Sequence, residues 1–403
     1  MECAAAGQGQ KSRSTAGALA RTVVPILITM VLASTFVAGH SQASSRGERR
    51  VPGRVLVKLR ANSDAARTLA SAGAKLIRTI PGLGIAVVQL RNPNSLATLQ
   101  RSPAIEYAEP DVLVPPAEVV TPNDPYWNDQ WSLPKTETDA AWSVTQGSAS
   151  VKVAVLDSGI DAAQPDLAGK VLPGRNFLTG GTDTSDDYGH GTEVAGVIAA
   201  RTDNGIGVAG YCPNCMLLPV KIAGSDGYAS WSAMADGIRW AADQKARVIS
   251  VSFAGTTGSS AVNAAIRYAR RHGAMVVASA GNFSSSAPAY PAAYRGVVSV
   301  ASSLNDDTQA SYSNHGSWVS FAAPGCNYST NRSTSSPEFS SFCGTSSAAP
   351  ALAGIAALAF SYKPTASIAQ VMRALVSGAV PVAFVSHGRV DARGTLAALG
   401  ASV

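Results

Sequence analysis

The chain has 403 residues, 46% of them hydrophobic and 14% charged. That much apolar material can bury a large core and excludes a disordered or collagen-like chain. The formal charge of +6 is confined to one end: residues 1–120 hold 14 Lys and Arg against 7 Asp and Glu, residues 121–403 hold 18 against 19. A nucleic-acid partner is therefore not expected, since the rest of the chain is almost neutral and lacks interleaved basic and aromatic residues.

Residues 22–39 are uncharged and mostly apolar and follow Lys11, Arg13 and Arg21, the pattern of a secretory signal. Small residues, Ser41-Gln42-Ala43, place the expected cleavage after Ala43; an uncleaved anchor is the competing reading, and Pro25 weakens it. Export to an oxidising compartment, extracellular or periplasmic, favours disulfides. Cys3 leaves with the signal, and Cys212, Cys215, Cys326 and Cys343 remain, with three connectivities open. Local pairing is favoured, Cys212 with Cys215 and Cys326 with Cys343. The second bridge would tie down the Ser/Thr-rich residues 327–341, which otherwise read as a mobile loop.

Between residues 50 and 115 the pattern is strand (54–59), helix (62–71), two strands (75–80 and 84–90), helix (94–100) and strand (104–108). This β-α-β-β-α-β order predicts a small ferredoxin-like α+β unit. A proline-rich stretch, 110–125, reads as a linker.

Residues 151–156 form a continuous apolar run, as in a strand buried on both faces of a parallel sheet, and end on Asp157, where open α/β sheets place their ligands. Thirty-three residues later, His190 stands between Gly189 and Gly191 at the start of a buried helix. Gly344-Thr345-Ser346 then opens an Ala/Leu-rich helix. A serine there has an unpaired backbone N–H and a dipole that favours negative charge, both suited to a nucleophile whose attack creates an oxyanion. Asn282 ends another strand and offers an amide as second donor. Singly, each residue reads equally well as a cap, a turn or a structural histidine; together, in the order Asp, His, Ser, they point to nucleophilic catalysis.

The segments 155–161, His190-Gly191-Thr192, Ser279-Ala280-Gly281-Asn282 and Gly344-Thr345-Ser346 resemble the subtilisin family (subtilases), most nearly its thermitase-type branch. Residues 121–126 resemble the mature start of that branch, 388–392 the family's closing motif, and 50–115 its inhibitory propeptide. The resemblance implies a secreted serine endopeptidase with a three-layer α/β/α parallel-sheet domain. It divides the chain into signal (1–43), propeptide with inhibitor-like unit and linker (44–120) and peptidase domain (121–403). Ser346 would be the nucleophile, His190 the general base, Asp157 its orienting carboxylate, and Asn282 with the Ser346 N–H the oxyanion donors. Ser252-Phe253-Ala254-Gly255 would form one wall of the substrate cleft, and Ser279, Ala280 and Gly281 would also bind substrate. Ala289 with Ser279 and Ala280 would give an apolar first pocket of moderate size.

The resemblance further implies structural calcium, and no cofactor for catalysis. The calcium ligands would be the side chains of Asp124, Asp166 and Asn204 with the carbonyls of Arg201, Ile206 and Val208, an all-oxygen set for a hard cation. It implies self-processing between residues 111 and 121 and a propeptide that acts as intramolecular inhibitor, its tail (107–116) in the cleft. Expected partners are polypeptide substrates, with membrane contact only through the signal and a monomeric enzyme. Four residues depart from the family pattern: Glu193 replaces a common histidine, Ser347 a common methionine, and Phe253-Ala254 two smaller residues.

Three rivals differ in class. A serine esterase of the α/β-hydrolase type needs Ser first in the chain and a glycine two residues after it, where Ala348 stands. A catalytically silent secreted binding protein would not need all four catalytic positions filled. A zinc peptidase lacks its second paired histidine.

Overall fold

The computed structural model describes residues 50–61, 63–92, 94–113 and 121–402. The expected signal and residues 114–120 of the linker lie outside them. The chain forms two compact units that divide between residues 114 and 115.

The first unit runs β1 (Arg50–Leu59), α1 (Ala65–Ser71), β2 (Ala74–Ile80), β3 (Ile85–Leu90), α2 (Ser95–Arg101) and β4 (Ile105–Val112). Its antiparallel sheet has the order β2-β3-β1-β4, the ferredoxin-like arrangement expected, with β1, β2 and β4 longer than the sequence pattern indicated. Val55 and Val57 of β1 and Ala86 and Val88 of β3 bury one face against Leu69 and Leu99 of the two helices. The period-2 spacing in the strands puts these four residues on that face.

In the second unit two one-turn helices, α3 (Ser132–Lys135) and α4 (Thr138–Ala141), precede β5 (Lys152–Asp157). Then follow β6 (Arg175–Asn176), α5 (His190–Ala199), β7 (Met216–Lys221), α6 (Trp231–Asp243), β8 (Val248–Val251), α7 (Ser260–Arg271), β9 (Met275–Ser279), β10 (Val298–Ser303) and β11 (Phe321–Pro324). The chain closes with β12 (Cys326–Thr330), β13 (Phe339–Cys343), α8 (Thr345–Tyr362), α9 (Ile368–Gly378) and α10 (Ala392–Ala398).

Seven strands make one parallel sheet in the order β11-β10-β9-β8-β5-β7-β6. On β5, Val153 and Val155 join the core that contains α5 and α8, whereas Ala154 and Leu156 join the core beneath α6 and α7. The apolar run is continuous because both faces are covered. This is the three-layer α/β/α architecture expected.

Strand β5 ends on Asp157, and the turns after β8 and β9 hold Ser252 and Asn282, so the sheet gathers these residues at its carboxyl edge. The stretch that read as a mobile loop is instead a hairpin: β12 and β13 pair antiparallel, with Cys326 opposite Cys343. A disulfide joins those two cysteines and another joins Cys212 to Cys215. The hairpin leads directly into α8, so the bridge closes three residues before Ser346.

Candidate active site

Asp157 is 1% exposed at the end of β5, and its Oδ1 accepts from His190 Nδ1 at 2.7 Å. The imidazole opens α5 and lies edge-on to Phe342, with ring centroids 5.4 Å apart. Asp186 sets the position of this helix start. It is buried, its Oδ1 accepts from Ser158 Oγ at 2.8 Å and from the Gly189 N–H at 2.7 Å, and its Oδ2 accepts from the Thr192 N–H and hydroxyl at 2.9 and 2.6 Å. The Gly191 N–H in turn donates to Ser158 Oγ at 3.0 Å, which ties the residue after Asp157 to the residue after His190.

Ser346 lies in the first turn of α8 and forms a reciprocal pair with Ser252. Its hydroxyl donates to the Ser252 carbonyl at 3.2 Å, and the Ser252 hydroxyl donates to the Ser346 carbonyl at 3.1 Å. Pro350, inside the helix, lacks the N–H that would normally bond the carbonyl four residues back, which is that of Ser346. Ser252 supplies the missing donor from the end of β8.

Asn282 Oδ1 accepts from the N–H and the hydroxyl of Thr345, at 2.9 and 2.8 Å, which turns its Nδ2 the other way. A Cβ built on Gly344 would lie 3.2 Å from that Nδ2 and 3.6 Å from the Ser346 nitrogen. Two N–H donors thus flank a space that is open because residue 344, with φ of 131°, has no side chain. Such a space can hold the oxygen of a tetrahedral intermediate.

Burial works against a charged His190, but the charge and hydrogen bond of Asp157, reinforced by Glu193 and Asp186, outweigh it and hold the imidazole pKa above its usual 6.5. Glu193, half-buried three residues along α5, is pushed up to about 7 by burial, with the charge of His190 acting in the opposite sense.

A cleft of about 220 Å³ beside His190 is lined by Asp157, Ser158, Tyr188, Gly227, Ser252, Phe253 and Ala254. Gly255 continues this wall and pairs with Tyr290 through two backbone hydrogen bonds of 2.8 Å. Ser279, Ala280 and Ala289 are no more than 1% exposed and do not line the cleft, and neither does Gly281. Sequence reasoning did not single out Tyr188 or Gly227. Tyr188 stands two residues before His190, a proximity that could have drawn attention to it.

The six residues of the expected calcium set meet around Asp166. Asn204 Nδ2 donates to Asp166 Oδ1 and the Val208 N–H to its Oδ2, each at 2.8 Å. Asp124 accepts from the Asn204 N–H at 3.1 Å, the Arg201 N–H donates to the Asp166 carbonyl, and the Ile206 N–H to Asn204 Oδ1. Burial pushes Asp166 up to about 7 and also raises Asp124. Neither carboxylate has an ion-pair partner among the described residues, where no cluster of three or more His, Cys, Asp or Glu suits a metal. Two buried carboxylates without an ion-pair partner among the described residues, in an oxygen-rich loop, fit a hard cation.

Residues 148–397 match the subtilase family, and residues 38–111 match the fervidolysin N-terminal prodomain. The chain belongs to the subtilase family. Thermitase from Thermoactinomyces vulgaris is 42% identical over 248 residues, which cover 61% of this chain and 88% of thermitase. Subtilisin DY from Bacillus licheniformis is 39% identical, over 62% of this chain and 90% of its own. A solved protease of Pseudoalteromonas arctica PAMC 21717 superposes with a TM-score of 0.63 at 34% identity, covering 69% of this chain and 99% of that one. This subtilase is accordingly a thermitase-like serine endopeptidase with an N-terminal prodomain.

The space beside Gly344 gives a direct prediction. Gly344→Ala should lower the thermal unfolding temperature, because φ of 131° strains any residue with a Cβ, and in the folded protein should reduce kcat on a peptide substrate about 10²–10³-fold, the loss typical of a disabled oxyanion donor in peptidases of this kind. Wild-type kcat in a folded Gly344→Ala protein would refute the assignment of this space.

Proposed function

We propose that this subtilase is a secreted endopeptidase, made as a self-processing zymogen, that hydrolyses peptide bonds through Asp157, His190 and Ser346. The observation that carries this reading is the 2.7 Å hydrogen bond between Asp157 and His190, at the sheet edge that also holds Ser346 and Asn282.

In the reaction the Ser346 hydroxyl leaves the Ser252 carbonyl and gives its proton to His190 Nε2 as Oγ bonds to the scissile carbonyl carbon. Asp157 fixes the ring tautomer and stabilises the imidazolium. The oxyanion takes hydrogen bonds from Asn282 Nδ2 and the Ser346 N–H. The C–N bond then breaks as His190 protonates the leaving amine, and water, deprotonated by the same imidazole, hydrolyses the acyl-enzyme. Phe253 and Tyr188 beside His190 support a preference for apolar or small side chains near the scissile bond.

The signal-like segment and the two disulfides support export. The prodomain would occupy the cleft until the chain cuts itself between residues 111 and 121, which gives boundaries of 1–43, 44–120 and 121–403; the mature enzyme would act as a monomer. Ser346→Ala produced in a protease-deficient host should remain at precursor mass while wild type loses its prodomain. Fluorophosphonate should label wild type at Ser346 and leave the variant unlabelled. Maturation of the variant would exclude self-processing, and absence of label on wild type would exclude the nucleophile.

Calcium, held by Asp124, Asp166 and Asn204 with the carbonyls of Arg201, Ile206 and Val208, would neutralise the buried carboxylates and brace the start of the domain. A cation at a hundred times its Kd stabilises by about 2.7 kcal/mol, so chelation should lower Tm by roughly 5–10 °C. Asp166→Asn should lose that difference. Equal Tm with and without chelator in the wild type would remove calcium from the account.

A further inference from the structure

A groove of about 1020 Å³ opens at the end of the sheet away from the catalytic residues. Its position follows from the parallel topology. Arg247 immediately precedes β8, Gly273 comes two residues before β9, and Val298 begins β10, so the groove lies at the amino ends of strands whose carboxyl ends lead to Ser252 and Asn282.

Five arginines, Arg247, Arg267, Arg270, Arg271 and Arg373, line it, and among the described residues no Asp or Glu does. Residues 121–403 hold 18 basic against 19 acidic residues, so this segregation is local and does not reflect a basic domain. Elsewhere in the unit Arg239 and Arg389 find carboxylates at 2.6 and 2.7 Å. Arg267, Arg270, Arg271 and Arg373 make no ion pair and donate no hydrogen bond among the described residues. Arg247 is held by the carbonyls of Pro364 and Ala366, at 3.0 and 2.8 Å, and lies 4.1 Å above the ring of Phe360, while its buried Nε has no partner. Carbonyls and a ring hold this guanidinium without supplying a countercharge.

Concave clustering of one charge sign raises the local potential and selects a ligand of opposite sign and high charge density. Guanidinium forks match tetrahedral oxyanions with paired N–H···O bonds. A phosphate monoester brings about 1.5–2 negative charges and three acceptor oxygens. A carboxylate brings one charge and two oxygens, so clustered phosphates neutralise five arginines within this volume better than an acidic peptide does. We propose that the groove is an exosite for a ligand carrying clustered phosphate monoesters, which would hold the enzyme by the end of its sheet opposite the cleft.

The test uses the full chain carrying Ser346→Ala, to prevent self-digestion, and inositol hexakisphosphate as probe, titrated by calorimetry. Hexaglutamate and inorganic phosphate serve as comparison probes. Saturable 1:1 binding that weakens with added salt is expected, with inorganic phosphate and hexaglutamate much weaker. Adding Arg267→Glu, Arg271→Glu and Arg373→Glu together should weaken binding by at least about tenfold, one charge-assisted contact being worth that much. Any calcium chelated by the probe affects both proteins alike, so their difference reports the groove. With Ser346 intact, the triple variant should cleave a short peptide at the wild-type rate. If the triple variant does not fold, Arg373→Ser alone should show weaker binding. No binding to wild type, equal affinity in a folded variant, or hexaglutamate binding as tightly as the hexakisphosphate would overturn the proposal.

Discussion

A single hydrogen bond, 2.7 Å from Asp157 to His190, joins the end of a buried strand to the first residue of a buried helix, and much of the second unit serves to hold its two ends in register. Asp157 is fixed by β5, the strand with neighbours on both edges and cores on both faces. His190 is fixed by Asp186, whose carboxylate gathers N–H groups from the turn before α5 and ties them through Ser158 to the strand end. Displacement of either element would break a contact whose worth depends on its geometry, since a misplaced base loses proton transfer long before the fold is lost.

The nucleophile depends on a compensation of a different kind. Helix α8 contains a proline in its second turn, which leaves the carbonyl of Ser346 without its intrahelical partner; the Ser252 hydroxyl replaces it, and the Ser346 hydroxyl is returned to the Ser252 carbonyl. The wall of the cleft and the serine are thereby locked to each other. Thr345 does the same for Asn282, taking up its oxygen so that the amide nitrogen faces the space beside Gly344. In the proposed mechanism each group at the reacting bond is positioned by a neighbour in chain or space that does no chemistry itself.

The fold was legible where burial imposes a period. Alternation in residues 54–59 and the apolar stretches around Pro81-Gly82 marked strands of the small sheet, and the unbroken apolar run before Asp157 marked a strand covered on both faces. The four candidate catalytic residues were legible because glycine-flanked motifs at element ends are unusual in composition and order. Asp186 and the Ser252–Ser346 pair carried no such mark, since their roles arise from contacts across 28 and 94 residues, which no local pattern encodes. The hairpin of 326–343 was masked by its serines and threonines, whose turn-like composition hid a paired strand on each side. The arginine groove was invisible for a related reason: its members come from three segments far apart in a domain of almost zero net charge.

Carboxylates around His190 set its protonation. A folded-state pKa above 6.5 means the charged form persists to higher pH, so the neutral base and the activity appear only as pH rises through that value. The most direct measurement is the pH dependence of kcat/KM for the mature enzyme beside its Glu193→Gln variant. Wild type should show an acid limb above 6.5 and the variant a lower one, because removing a nearby negative charge destabilises the imidazolium. A wild-type limb below 6.5 that Glu193→Gln does not move would contradict this role of the carboxylates.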